Sequence, residues 1–299
     1  VGGQGMLGRA VRRQLVEHGL PHVVTDTDVD ITDGTAVDGF ADDVRATHII
    51  NCAAYTDVDG SEAAAPLAHR VNGEGPGHLA RAAVRLRAVA VHVSTDYVFD
   101  GAGSAPYTEE SPCRPLGAYG ESKRAGEVAF LGAFEGAPTP AAGQVVRTSW
   151  LFGRGGKNFV GTMLRLFASK SEVGVVADQV GRPTSCDDLA SALLMVVGLI
   201  PRSSTRPARA APSGVYHFAN TGAVSWYEFA SRIHAMAIAR GFPLVCERVR
   251  GITTADYPTP ARRPAYSVLS TAKIARFLGA EPRPWEQALA EYLEAERAS

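Results

Sequence analysis

No stretch of the 299-residue chain is apolar for long enough to cross a bilayer, and its first residues do not read as a secretory signal peptide. Cysteine is scarce. Cys52, Cys113, Cys186 and Cys246 lie far apart, with no C-x-x-C pair and no metal-ligand spacing. That pattern excludes a disulfide framework and reads as reduced, mostly buried thiols of a cytoplasmic protein. An excess of charge of either sign is missing too. Lys and Arg total 30 against 31 Asp and Glu, so no basic field points to nucleic acid or to an anionic membrane. No internal repeat is visible. The chain opens on Val1-Gly2-Gly3 with no strand before its glycines, so the first strand is expected to lie outside this numbering or to be disordered. What is present is 45% hydrophobic and 20% charged, enough for a large core in one large or two modest domains.

The glycines form G-x-x-G-x-x-G over Gly2 to Gly8, followed by a helical stripe of Leu7, Val11 and Leu15. Such a turn lets backbone approach a pyrophosphate, which then sits at a helix N-terminus where free N–H groups and the dipole favour anions. Val23 to Thr25 reads as a short strand ending in Asp26, where an acid would accept hydrogen bonds from the adenine ribose. An acid there repels a 2′-phosphate and leans towards NADH, although Asp28 and Asp30 compete for the role. His48 to Tyr55 is a strand ending in small residues, which leave room for a ligand at a sheet's carboxyl edge. Val89 to Val93 is another, delivering Ser94, Thr95 and Asp96 to the same edge. Strands alternating with helices at this spacing specify a doubly wound parallel sheet, Rossmann-like in character.

The richest stretch runs from Val93 to Glu127. Tyr119 and Lys123 stand four residues apart at the start of a helix, so both project from one face. A lysine ammonium beside a phenol would lower its pKa from about 10 towards working pH. Such a tyrosine can give a proton to a developing alkoxide. Cys52 and His92 read as structural. Further along, strands are expected at Gln144 to Thr148, Val173 to Ala177, Gly214 to Asn220 and Leu244 to Val249. Asp187 is expected to cap a helix, and Ser225 with Glu228 to form a capping box. The stretch from Pro201 to Ser213 reads as a flexible excursion with solvated Arg202, Arg206 and Arg209. Residues 1–150 read as a dinucleotide-binding domain and 151–299 mainly as a smaller α/β substrate domain, with the stretch near 183–220 returning to the first.

Nine segments, among them GGQGMLG, NCAAYTDVDGSE, VSTDYVFDG, YGESKRAGE and YPTPARRP, resemble the dTDP-4-dehydrorhamnose reductase family of the extended short-chain dehydrogenase/reductase superfamily. The resemblance implies reduction of the C4 ketone of dTDP-4-dehydro-6-deoxy-L-mannose to dTDP-L-rhamnose with NADPH or NADH. It implies Tyr119 as proton donor, Lys123 on the nicotinamide ribose and Thr95 completing the triad. Thr95 and Asp96 would also touch the sugar, as would Trp150, and Arg263 would join the nucleotide-sugar pocket. Gly5, Met6 and Leu7 would follow the pyrophosphate, Asp30 and Ile31 would border the adenine, and Ala53, Ala54 and Tyr55 would line the cofactor channel. Relatives are reported to bind magnesium, yet no residue set identifies such a site here. A homodimer is held open as the assembly. A 4-ketoreductase for another dTDP-deoxysugar and a non-catalytic regulatory subunit of the same fold remain alternatives. Gly60 and Ser61 depart from the family's acidic stretch.

Overall fold

The structure of the protein, a computed structural model, describes residues 1–203 and 207–298. The first half interleaves runs of helix with the strands of one sheet. After the glycine turn come α1 (Met6–Glu17), α2 (Gly34–Val44, capped by the Asp33 carboxylate) and β1 (His48–Asn51). Then α3 (Val58–Ala63) and α4 (Ala65–His69) run through a π-helical turn at Arg70–Glu74 into α5 (Gly75–Leu86). That half closes with β2 (Val89–Thr95), α6 (Ala118–Ala133) and β3 (Ala142–Thr148). The second half holds β4 (Leu151–Phe152), α7 (Phe159–Phe167), β5 (Glu172–Val176), β6 (Val180–Gly181) and β7 (Thr184–Ser185). It continues with α8 (Cys186–Val196), β8 (Gly214–His217), β9 (Val224–Ser225) and α9 (Trp226–Ala239). Last are β10 (Arg248–Ile252), α10 (Ala272–Leu278) and α11 (Trp285–Arg297).

The main sheet has the order β1-β2-β3-β8 and is parallel throughout. Its strands are covered on both faces, as parallel strands must be. Side chains alternate accordingly. Val91 and Val146 pack against Leu7 and Val11 of α1 and Leu189 and Leu193 of α8, whereas Ala90 and Val145 pack against Ala80 and Ala83 of α5 and Phe130 of α6. Helices on both faces make the sheet doubly wound, as the strand–helix alternation predicts. From the second half, α8 covers the sheet beside α1 and β8 extends it. A separate apolar cluster joins Val160, Phe167, Val173, Phe229, Ile233 and Leu289 around the parallel pair β5–β10. Among the described residues, no helix is long and apolar enough to cross a membrane.

Four local expectations change. Val23–Thr25 is not a strand, because its one backbone rung is Gly3 N–H to Thr25 O. The strand expected at 244–249 begins at Arg248: Val245 and Cys246 donate instead to Phe167 O at the end of α7, and only from Arg248 does pairing with Glu172 start. The cap of α8 is Ser185, whose hydroxyl accepts from Asp187 N–H, while the Asp187 carboxylate is drawn to Arg13. Arg202 is not solvated. Its guanidinium lies 4.4 Å from the Phe277 ring centroid and donates to Phe277 O. Arg206 lies outside the described residues. The Ser225–Glu228 capping box is present as read.

Candidate active site

A cleft of about 1010 Å³ follows the carboxyl edge of the sheet. The glycine turn forms one end of it. Gly2 adopts φ +73°, and a Cβ there would lie 2.5 Å from Ala53 N; one at Gly8 would lie 2.2 Å from Gly2 O. Side chains are therefore excluded by two independent means, one of conformation and one of space. Gly5 begins α1 without any side-chain cap, so the helix N-terminus opens on the cleft with its N–H groups unclaimed by a capping residue. Met6 and Leu7 line the same end. This is the geometry that suits a phosphate. Gly8→Ala is expected to weaken dinucleotide binding by at least about tenfold, about 1.4 kcal/mol, in a fluorescence titration, because the clash is with backbone and cannot relax through a rotamer.

Of the competing acids, Asp26 and Asp30 line the cleft, whereas Asp28 does not. Asp28 folds back, accepting from Asp26 N–H at 2.5 Å and from the Thr25 hydroxyl at 3.0 Å. The Asp26 carboxylate is oriented by Gln4 N–H at 2.8 Å, which ties this acid to the glycine turn. Ile31 is buried beside them, and its carbonyl accepts from His78 at 2.9 Å. Ala53 and Ala54 line the wall, but Tyr55 does not. The Tyr55 backbone is instead held at both its N–H and its carbonyl by the side chain of Asn72.

Thr95, Asp96, Tyr119 and Lys123 meet on the opposite wall. Glycines place the helix that carries two of them: a Cβ on Gly120 would lie 2.2 Å from Tyr97 O, so only glycine lets α6 start this close to the end of β2. Ser122 returns its hydroxyl to Tyr119 O at 2.8 Å and receives Asn72 Nδ2 at 3.1 Å. Asn72 sits in the π-helical turn at 70–74. It is a positioning residue that sequence reading missed, because a lone Asn between helices carries no periodic signal.

The electrostatics differ from expectation. Burial pushes Tyr119 up to about 12, with Asp96 adding to the rise and the Thr95 hydroxyl opposing it. Lys123 does not lower it. The amine turns away, donating to Val93 O at 2.7 Å and lying 3.2 Å from His92 Nε2, and burial brings its own value down to about 8. Asp96 rises to about 6 through burial, and the Thr95 hydroxyl donates to it at 3.0 Å.

Trp150 lines the cleft in a left-handed conformation, φ +48°, with its ring stacked on Trp226 at 3.5 Å. Arg263 does not line it. Its Nη2 donates to Asp59 Oδ2 at 2.8 Å, and Asp59 Oδ1 also holds Ala261 N–H. Among the described residues, no group of three or more His, Cys, Asp or Glu is arranged to hold a metal ion.

The family model for the RmlD substrate binding domain matches residues 1–298. The chain belongs to this family. A dTDP-4-dehydrorhamnose reductase of Aggregatibacter actinomycetemcomitans is 41% identical over 290 residues, 96% of this chain and 95% of that protein. The crystal structure of a family relative, the dTDP-4-dehydrorhamnose reductase of Clostridium acetobutylicum, superposes with a TM-score of 0.86 at 36% identity, covering 99% and 98% of the two chains. That from Bacillus anthracis, solved in complex with NADP, gives 0.85 at 33% identity, with 98% and 97% covered.

Proposed function

We propose that this protein reduces the C4 ketone of dTDP-4-dehydro-6-deoxy-L-mannose to dTDP-L-rhamnose with NADPH or NADH. The observation that carries the reading is the buried Tyr119 phenol, standing with Thr95 across one cleft from the uncapped end of α1. The glycine turn holds the dinucleotide's phosphates, Asp26 its adenine ribose, and Lys123 the nicotinamide ribose. The reduced nicotinamide supplies the hydride. Tyr119 keeps its proton at neutral pH, because burial holds the phenol up to about 12. A sugar alkoxide is more basic still, so the proton passes from Tyr119 Oη as negative charge grows on the ketone oxygen. Thr95 donates a hydrogen bond to that oxygen once its hydroxyl turns from Asp96 Oδ1, and so fixes its direction. Trp150, with the β5–β10 unit behind it, takes the nucleotide-sugar, whereas Arg263 is engaged by Asp59 outside the cleft lining.

The test follows NADPH and NADH absorbance with the ketosugar generated in situ. Rapid oxidation is expected. Oxidation only with a different dTDP-ketosugar would move the assignment to that substrate, and failure across a ketosugar panel despite cofactor binding would leave the regulatory reading. Because the Asp26 carboxylate faces the ribose, NADH is expected to exceed NADPH in kcat/KM by about tenfold, about 1.4 kcal/mol. Asp26→Ser should narrow that ratio.

A further inference from the structure

His92 is the one titratable side chain of β2, and it is completely buried. It faces α6, with the Phe130 ring 5.7 Å away, and pairs across the sheet with Asn51. Three contacts fix the order of hydrogen bonds. Asn51 Oδ1 accepts from Ala53 N–H at 3.0 Å, which turns the amide NH₂ towards His92 Nδ1, also at 3.0 Å. Nδ1 is therefore the acceptor. Burial holds the ring well below its ordinary range, so it is neutral and, with Nδ1 accepting, carries its proton on Nε2. That N–H points at Lys123 Nζ, 3.2 Å away.

An ammonium has three donors and no acceptor. Facing Nε2–H, it would set donor against donor in a buried site. An uncharged amine fits without conflict: it accepts from His92 Nε2–H and donates to Val93 O. We propose that Asn51 and His92 form a positioning pair that sets the charge of Lys123, presenting it with a donor and thereby favouring the neutral amine. The lysine is then not a permanent cation.

The other groups around Lys123 do not override this order. Glu127, one turn further along α6, raises the lysine's proton affinity, but both its oxygens are engaged by Arg147 at 2.7 Å. Cys52, beyond the end of β1, is pushed up to about 11 by burial and stays an uncharged thiol. Tyr119, one turn earlier on α6, keeps its proton for the same reason. Asp96, at the end of β2, gives its Oδ1 to Thr95.

The kinetic importance of the pair rests on the proposed reductase role of Lys123, but its hydrogen-bond order is a property of the protein alone and can be tested without substrate. The sequence contains four lysines, Lys123, Lys157, Lys170 and Lys273, so a ¹³Cε-lysine sample of the full chain gives a sparse spectrum in which Lys123→Met assigns the resonance. In a pH titration Lys123 is expected to turn over well below the ordinary lysine range. His92→Gln places a carbonyl where the donor was, and Asn51→Leu frees the ring to move its proton to Nδ1. Each should raise the Lys123 midpoint by roughly one pH unit. The alkaline limb of kcat/KM should move with it. If His92→Gln does not fold, Asn51→Leu alone decides. A midpoint that stays in place in the folded variants, or a Lys123 that titrates in the ordinary lysine range in the wild type, would overturn the proposal. Loss of turnover with an unmoved midpoint is the signature of mere packing, and overturns it too. Absence of reductase activity, by contrast, would count against the functional reading and leave the midpoints intact.

Discussion

Tyr119→Phe is expected to bind NADH and NADPH as the wild type does and to lose turnover by a factor of about 10²–10⁴, the usual weight of a positioned acid. The phenol ring packs edge-on against Tyr97, with centroids 5.5 Å apart, and phenylalanine keeps that contact. The α6 start is fixed by backbone features, the close approach of Gly120 to Tyr97 O and the bond from Ala118 N–H to Glu62, and neither uses the hydroxyl. The loss should therefore appear in kcat while the dinucleotide Kd and the far-ultraviolet circular dichroism stay put. Stopped-flow absorbance at saturating cofactor checks it. Near-wild-type turnover would remove Tyr119 from the proton's path. Any rise of the wild-type rate with pH cannot be laid to phenolate formation, since burial holds Tyr119 far above neutrality.

The second large effect concerns stability. Arg147→Met is expected to cost about 3–5 kcal/mol, because it leaves the fully buried Glu127 carboxylate with only the half-exposed Arg124 as its ion partner. Glu127 and Arg147 are among the most buried charges in the fold, joined by two parallel bonds of 2.7 Å. His217 lies on the other flank, 3.3 Å from Arg147 Nη1. It is driven down to about 3 by burial and then by the guanidinium's charge, so it is a neutral acceptor. Urea unfolding would read the loss as a lower midpoint at constant m. Glu127→Gln combined with Arg147→Met should recover part of it, since no buried charge is then left, only the half-exposed Arg124. The pH dependence has a definite sign. Burial alone would raise Glu127, but the bonds and charge of Arg147 outweigh it and leave the carboxyl below its ordinary value. The folded form thus binds this proton less readily than the unfolded chain. The pair's contribution is present above the ordinary glutamate range and disappears as pH falls through the depressed value.

Much of the site was legible before any coordinates, for a reason that lies in topology. Once strands and helices alternate, every strand end falls on one edge, and the glycine turn, Asp26, Ala53, Thr95 and Tyr119 must gather there. The direction in which a side chain leaves its helix is not set by spacing. Tyr119 and Lys123 share a face, yet the lysine reaches back to Val93 O, because the polar atoms at the base of the site belong to other strands. His92 read as structural since one histidine in an apolar strand usually is, and only the register that sets it beside Asn51 reveals a partner. Arg263 and Asp59 are 204 residues apart, a distance over which no periodicity operates. Val23 to Thr25 has strand composition without a ladder, and composition cannot supply the neighbour.

The Trp150–Trp226 stack has a use of its own. The sequence contains three tryptophans, and two of them lie face to face with centroids 3.5 Å apart and planes 8° from parallel. Transition dipoles this close couple, so the pair acts as a single chromophore whose circular dichroism couplet depends on the angle between the rings. Both rings pack against the apolar cluster around β5 and β10, but of the two only Trp150 also borders the cleft. A ligand that tilts the outer ring alone will change the couplet's amplitude. The protein thus carries a label-free optical gauge at the mouth of its own cleft, readable without a dye and without turnover.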